Sequence, residues 1–215
     1  MKNKSIFDLD YKLLFALIIF SYFIISFSSN NLVFTKEFYF NILNGILSEN
    51  RIASFIETKM KYEWIGYFFI PVFLLLKLFV VSCLIYIGLN ISGYSTNFKS
   101  LFCIVTIAES TMVIASLFKL CYIVIFNITD IEVLKRFFPL SIITFFNLKN
   151  IPFYLVYPLQ QINIFELGYW LLLAYGIKTL ENVDFKKALK ITSLSYGVGL
   201  VIWSIFIVFI QLQFS

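Results

Sequence analysis

The chain of 215 residues contains no histidine, which removes the commonest general base and the commonest metal ligand. Its three cysteines, Cys83, Cys103 and Cys121, all lie inside apolar runs. An odd count without CxxC spacing argues against a disulfide framework or a zinc site, and packing as small apolar residues is the plainer role. Charge is scarce, at 13% of residues against ~25% in a soluble domain. All but Arg51 and Arg136 of the 17 basic residues are lysines. Arg is the better phosphate fork, so the net charge of +5 does not point to nucleic acid. There is no Gly-rich phosphate loop. Asp8, Asp10, Asp130 and Asp184 all fall outside the apolar runs, so no intramembrane carboxylate pair is expected. The Ser and Thr of Glu109-Ser110-Thr111 have only that Glu as an adjacent base. Enzymatic activity, a metal and a cofactor are all unexpected.

What the chain has in abundance is hydrocarbon: 60% hydrophobic residues and a mean hydropathy of +0.90. Such a chain belongs in a bilayer. The apolar residues form continuous runs rather than the ~10-residue alternating segments of barrel strands. The expected fold is all-α, a polytopic helical membrane bundle in a single domain over 1–215. About five transmembrane helices are expected, near 11–27, 67–89, 100–126, 165–180 and 191–212, with amphipathic helices at the interface.

The start mixes Lys2, Lys4 and Lys12 with Asp8 and Asp10, and no small-residue cleavage site follows, so an uncleaved first span is expected. In the hydrophilic stretch 28–66, Thr35 is a plausible N-cap for a helix with Phe38, Ile42, Leu43 and Ile46 on one side. Ser48 suits a second helix, carrying Ile52, Phe55, Ile56 and Lys59. Trp64, Tyr67, Phe68 and Phe69 form an aromatic girdle, and Pro71 falls in the first turns of the second span. The polar link 90–99 closes a hairpin. Section 127–164 reads as an interfacial or re-entrant helix, interrupted by Lys135, Arg136 and Pro139, then a Pro-broken aromatic segment at 153–157. A further span there is the alternative. Asp184 suits the cap of a short helix running into the last span.

Lys178, Lys186, Lys187 and Lys190 cluster around one short loop, which the positive-inside rule assigns to the cytoplasm. With five spans the N-terminus shares that side and the C-terminus lies outside, in a membrane expected to be the bacterial cytoplasmic (inner) one.

Two positions carry charge where charge is expensive: Lys77 and Glu109. At ~1.5 Å rise per residue, they lie ~18 Å and ~15 Å from the hairpin link, hence at nearly one depth. An ion there costs ~2.5–3.5 kcal/mol on insertion scales and seeks a partner. The pair is either structural, fixing the register of two helices, or functional, as a proton or ion relay or a substrate counter-charge. Lys119 lies ~30 Å from the link by the same rise, beside Glu166 at the opening of the fourth span. These two form a candidate interfacial pair, although Lys119 also has the length to snorkel alone.

The run Pro158-Leu-Gln-Gln-Ile-Asn163-Ile-Phe165-Glu-Leu-Gly-Tyr-Trp170-Leu-Leu-Leu-Ala-Tyr-Gly176-Ile-Lys178 resembles the Yip family of five-span membrane proteins. In that family an Asn-x-Phe and an aromatic pair precede an apolar run, a Gly and a short basic loop before the last span. Lys186-Lys187-Ala188 is similar to that loop, and the link with Gly88 and Gly93 fits the hairpin, so the resemblance covers roughly 67–214. It implies an integral-membrane scaffold without enzymatic activity. Its partners would be the lipid bilayer and other membrane proteins, or a homo-oligomer. Eukaryotic members are tied to Rab GTPases and vesicle traffic through a long charged N-terminal region, where this sequence has only about ten residues before the first span. The alternative is a small transporter or channel subunit using Lys77 and Glu109. Transporters often show paired halves with broken spans, and no such symmetry is visible here.

Overall fold

A computed structural model describes residues 11–147 and 150–213. The charged start with Lys2, Lys4, Asp8 and Asp10 lies outside the described residues, as does the C-terminal Ser215. Among the described residues the chain is helical throughout, with no strand beyond two isolated bridges. It is an all-α bundle, and four of its helical rods are long and apolar enough to cross a membrane: Lys12–Leu32, Glu49–Ile91, Phe98–Ile125 and Phe185–Gln213.

The first helix, α1, runs Tyr11–Leu32. Thr35 then caps α2, Lys36–Leu43, accepting from the Phe38 N–H at 3.2 Å. The α2 helix stops short of Ile46, which is exposed beyond a turn at Gly45, where φ is +87°. A positive φ favours glycine, and it ends the expected apolar stripe one turn early.

The next helix, α3, is a single rod of 43 residues, Glu49–Ile91, about 65 Å long. The amphipathic helix expected after Ser48 and the span expected at 67–89 are therefore one element. Pro71 sits in its interior, not in its first turns. The reason is that the aromatic girdle marks a change of solvent and not a change of backbone, so the helix passes straight through it. The N-terminal part of α3 carries most of its charge. There Glu63 accepts from Asn30 Nδ2 and from the Tyr67 hydroxyl, both at 2.7 Å, and Lys59 lies over the Tyr39 ring.

The third rod is bent. Helix α4, Phe98–Ala108, and helix α5, Ser110–Ile125, meet at Glu109. The Ser110 and Thr111 hydroxyls donate back to the carbonyls of Ile107 and Ala108 at 2.7 and 2.9 Å. Such back-bonding competes with the ladder and bends helices.

Section 128–163 does not span among its described residues. It folds as a six-residue helix α6, Ile131–Arg136, a 3₁₀ turn, Ile142–Phe145, and helix α7, Phe153–Gln161. Pro158 lies inside α7 and does not break it. The α7 helix packs along the end of the last rod. Helix α8, Ile164–Glu181, is shorter than the four long rods and has no equally apolar stretch, but it is the centre of the bundle. It packs against α4, α5 and the rod that follows it, burying Tyr169, Leu173, Ala174, Gly176 and Ile177. That last rod comprises α9, Phe185–Thr192, a π-helical turn, Ser193–Gly197, and α10, Val198–Gln213. Asp184 caps it, accepting from the Lys186 N–H at 3.3 Å.

The two turns at one end of the bundle touch. Thr96 hydrogen-bonds to Glu181, and the Lys187 ammonium lies 5.0 Å from the centre of the Tyr94 ring. The hairpin link and the loop before α9 therefore share one end, and 127–163 sits at the other. Close contacts at glycines set the helix spacing. A Cβ on Gly176 would stand 2.3 Å from Ile104 Cγ2, and one on Gly88 would stand 2.5 Å from Ser195 Cβ. Small residues let helix backbones approach where lipid supplies no hydrophobic drive.

Candidate functional site

The helices bring a set of polar side chains to one level inside the bundle. By helical rise, Tyr22, Lys77, Glu109, Glu166, Tyr169 and Tyr196 all lie about 15–23 Å from the end that carries the two turns. Glu109 stands at the α4–α5 bend and is only 1% exposed. Its Oε1 accepts from Lys77 Nζ at 2.7 Å and from the Tyr22 hydroxyl at 2.8 Å. Helices α1, α3 and the bent rod thus converge on one oxygen. The Lys77 stem runs along the outside of the bundle while its ammonium points inward, which is how a long amphipathic side chain reaches a buried partner.

Tyr169 carries the layer across to the other side. Its ring centre lies 5.7 Å from Lys77 Nζ, a distance for a cation–π contact, and 5.3 Å from the centre of the Tyr196 ring. Beyond it, Glu166 Oε1 accepts from the Tyr196 hydroxyl at 2.7 Å and from Trp170 Nε1 at 2.9 Å. Tyr196 belongs to the π-helical turn, a departure from α geometry that is often met at functional sites. Gly197, next in that turn, lets the Trp170 ring close over it: a Cβ there would stand 2.6 Å from the indole.

Lys77 and Glu109 are thus joined in the structure. Lys119 and Glu166 are not: the described residues contain no ion pair between them, and the Glu166 carboxylate is occupied by Trp170 and Tyr196. The physical reason lies in the last rod and in α8 itself. Tyr196 of the π-helical turn and Trp170 one helical turn on cover the carboxylate, so Glu166 is 5% exposed although Ile164 and Leu167 beside it are open. The expectation that no intramembrane carboxylate pair exists is corrected with it. Glu109 and Glu166 share the layer, and Lys77 and Glu109 are both close enough to act electrostatically on the Glu166 carboxylate.

Sequence reasoning assigned no partner to the hydroxyls of Tyr22, Tyr169 and Tyr196, and took Trp170 with Tyr169 only as an aromatic pair. Their signal was depth. A tyrosine in the middle of an apolar run is far from the interface, so its hydroxyl must find a partner inside the protein.

The fold is an all-α bundle with four rods long and apolar enough to cross a membrane, and the polar layer lies part-way along them. Comparison with known proteins finds no matching family model, no similar curated protein and no similar solved structure.

Proposed function

We propose that the chain is a non-enzymatic, Yip-like integral membrane protein of a cytoplasmic membrane, acting as a scaffold through contacts with membrane partners or with a second copy of itself. The observation that carries this reading is the packing around Glu109. Its carboxylate is enclosed by Tyr22, Lys77 and the α4–α5 bend, with 1% exposure. The pair is buried at Glu109 while the Lys77 side chain stays 42% exposed, and it holds three helices in one register, as buried polar groups do in coiled coils. A relay or substrate site has to open to water. In this reading the N-terminus, the hairpin link and the 180–190 loop are cytoplasmic and the C-terminus is outside.

The test is site-specific photo-crosslinking in native membranes from Phe209, an exposed position of α10. A discrete protein adduct, or a dimer of this chain, is the expected result. Adducts to lipid alone, together with collapse of an imposed ion gradient by the purified protein in liposomes, would replace this reading with the second. That second reading is a small transporter or channel subunit, and one observation favours it: the layer sets two carboxylates, Glu109 and Glu166, against the single ammonium of Lys77.

A further inference from the structure

The buried layer has a surplus of negative charge if every group in it is ionised. Lys77 is committed to Glu109 at 2.7 Å, which leaves Glu166 without a cation in contact. Both donors to Glu166, Trp170 Nε1 and the Tyr196 hydroxyl, reach the same oxygen, Oε1. Its Oε2 accepts no hydrogen bond from the described residues. A buried carboxyl group keeps its charge where a cation lies against it, as Lys77 does at Glu109, and is more stable protonated where its partners are neutral donors alone. In the protonated acid the carbonyl oxygen accepts, and the other oxygen holds the proton. The arrangement around Glu166 is the second kind. The layer is also short of donors elsewhere, since the buried Oε2 of Glu109 has no hydrogen-bond partner among the described residues.

We infer that Glu166 is a proton-binding site in the middle of the bundle, holding one proton on Oε2 at neutral pH and thereby balancing the layer against the Lys77–Glu109 pair. The step is simple protonation. A proton from water adds to Oε2 without any other bond breaking, and its release to water leaves Glu166 as an uncompensated anion beside a neutral ion pair. The charged and titratable groups that face Glu166 are Lys77 from α3, Glu109 from the α4–α5 bend, Tyr157 from α7, Tyr196 from the π-helical turn and Tyr169 from α8 itself. Only Lys77 favours the ionised form by its charge, and it is already shared with Glu109. The inference rests on this geometry and holds whether the protein is a scaffold or a transporter.

Infrared spectroscopy of the purified protein in lipid nanodiscs at neutral pH tests it. Carboxyl groups in contact with water are ionised there and give no neutral-acid carbonyl band, so a band of that kind reports a buried protonated acid. The wild type is expected to show it, and Glu166→Gln to lose it. The band should persist when Lys77→Met is combined with Glu109→Leu. Absence from the wild type, or survival in Glu166→Gln, overturns the assignment. Should Glu166→Gln fail to fold, Tyr196→Phe decides. Loss of one hydrogen bond to Oε1 should move the band to higher frequency, and an unmoved band places the proton elsewhere.

Discussion

The Lys77 ammonium and the Tyr22 hydroxyl reach the same oxygen of Glu109, from 2.7 and 2.8 Å, so one atom ties three helices together. Removing one partner of a buried ion pair typically costs ~3–5 kcal/mol, whereas replacing both with apolar groups is often near neutral. Lys77→Met is therefore expected to destabilise strongly. Glu109→Gln should cost less, because an amide needs no counter-ion. Lys77→Met with Glu109→Leu should recover most of the loss. Thermal unfolding in detergent measures all three, and single losses that simply add would show that the two groups do not act as a pair.

Glycine positions separate close packing from mere helix content. At Gly176 an added methyl meets the β-branched Ile104 at 2.3 Å, a stiff neighbour that cannot swing away. Gly176→Ala should cost about 1–3 kcal/mol by overpacking, and Ile104→Ala in the same chain should relieve part of it. Gly66 also lies within a helix, but nothing stands within 4 Å of its would-be Cβ. Gly66→Ala should stabilise by ~0.5–1 kcal/mol through helix propensity alone. Equal effects at the two sites would mean that α4 and α8 are not in the contact described.

Much of the bundle was legible because hydrocarbon enforces simple rules. Apolar run lengths located five helical segments, of which four are long and apolar enough to cross a membrane while the expected fourth span, α8, is not; helical rise alone matched Lys77 to Glu109 in depth. Glu166 was not legible. Its place depends on Tyr196, which reaches it from the π-helical turn thirty residues on, and run length alone put it at the surface. The same held for Tyr169 and Tyr196. Among 13 tyrosines, composition does not separate a belt residue from one that donates to a buried acid. Pro71 failed for another reason: the edge of an apolar run marks where water ends, while the helix of Glu49–Ile91 continues through it.

The contacts of Thr96 with Glu181 and of Lys187 with Tyr94 place two turns at one end of the bundle. In a chain freed of its three native cysteines, Ser95→Cys and Lys186→Cys should be labelled by a membrane-impermeant thiol reagent from the same side. Phe145→Cys, at a position 87% exposed in the 3₁₀ turn, should be labelled only from the opposite side. Labelling of all three from one side would rule out the arrangement of rods described.

Tyr169 and Tyr196 are neighbours with opposite hydrogen-bonding states, and substitution by phenylalanine reads the difference. The Tyr196 hydroxyl donates to Glu166 at 2.7 Å. A bond to a neutral acid contributes ~0.5–1.5 kcal/mol and one to an ionised group ~1.5–3 kcal/mol, so Tyr196→Phe should cost about 1 kcal/mol if Glu166 is protonated. The Tyr169 hydroxyl is fully buried and has no hydrogen-bond partner among the described residues. An unpaired buried donor is a liability of ~1–3 kcal/mol, so Tyr169→Phe should leave stability unchanged or raise it. Chemical or thermal unfolding of the two variants side by side gives the comparison. A loss at Tyr169→Phe as large as that at Tyr196→Phe would mean that its hydroxyl is satisfied in the membrane by bound water. The layer would then be wet, and the packed-scaffold reading would give way to one in which Glu109 and Glu166 face a hydrated path.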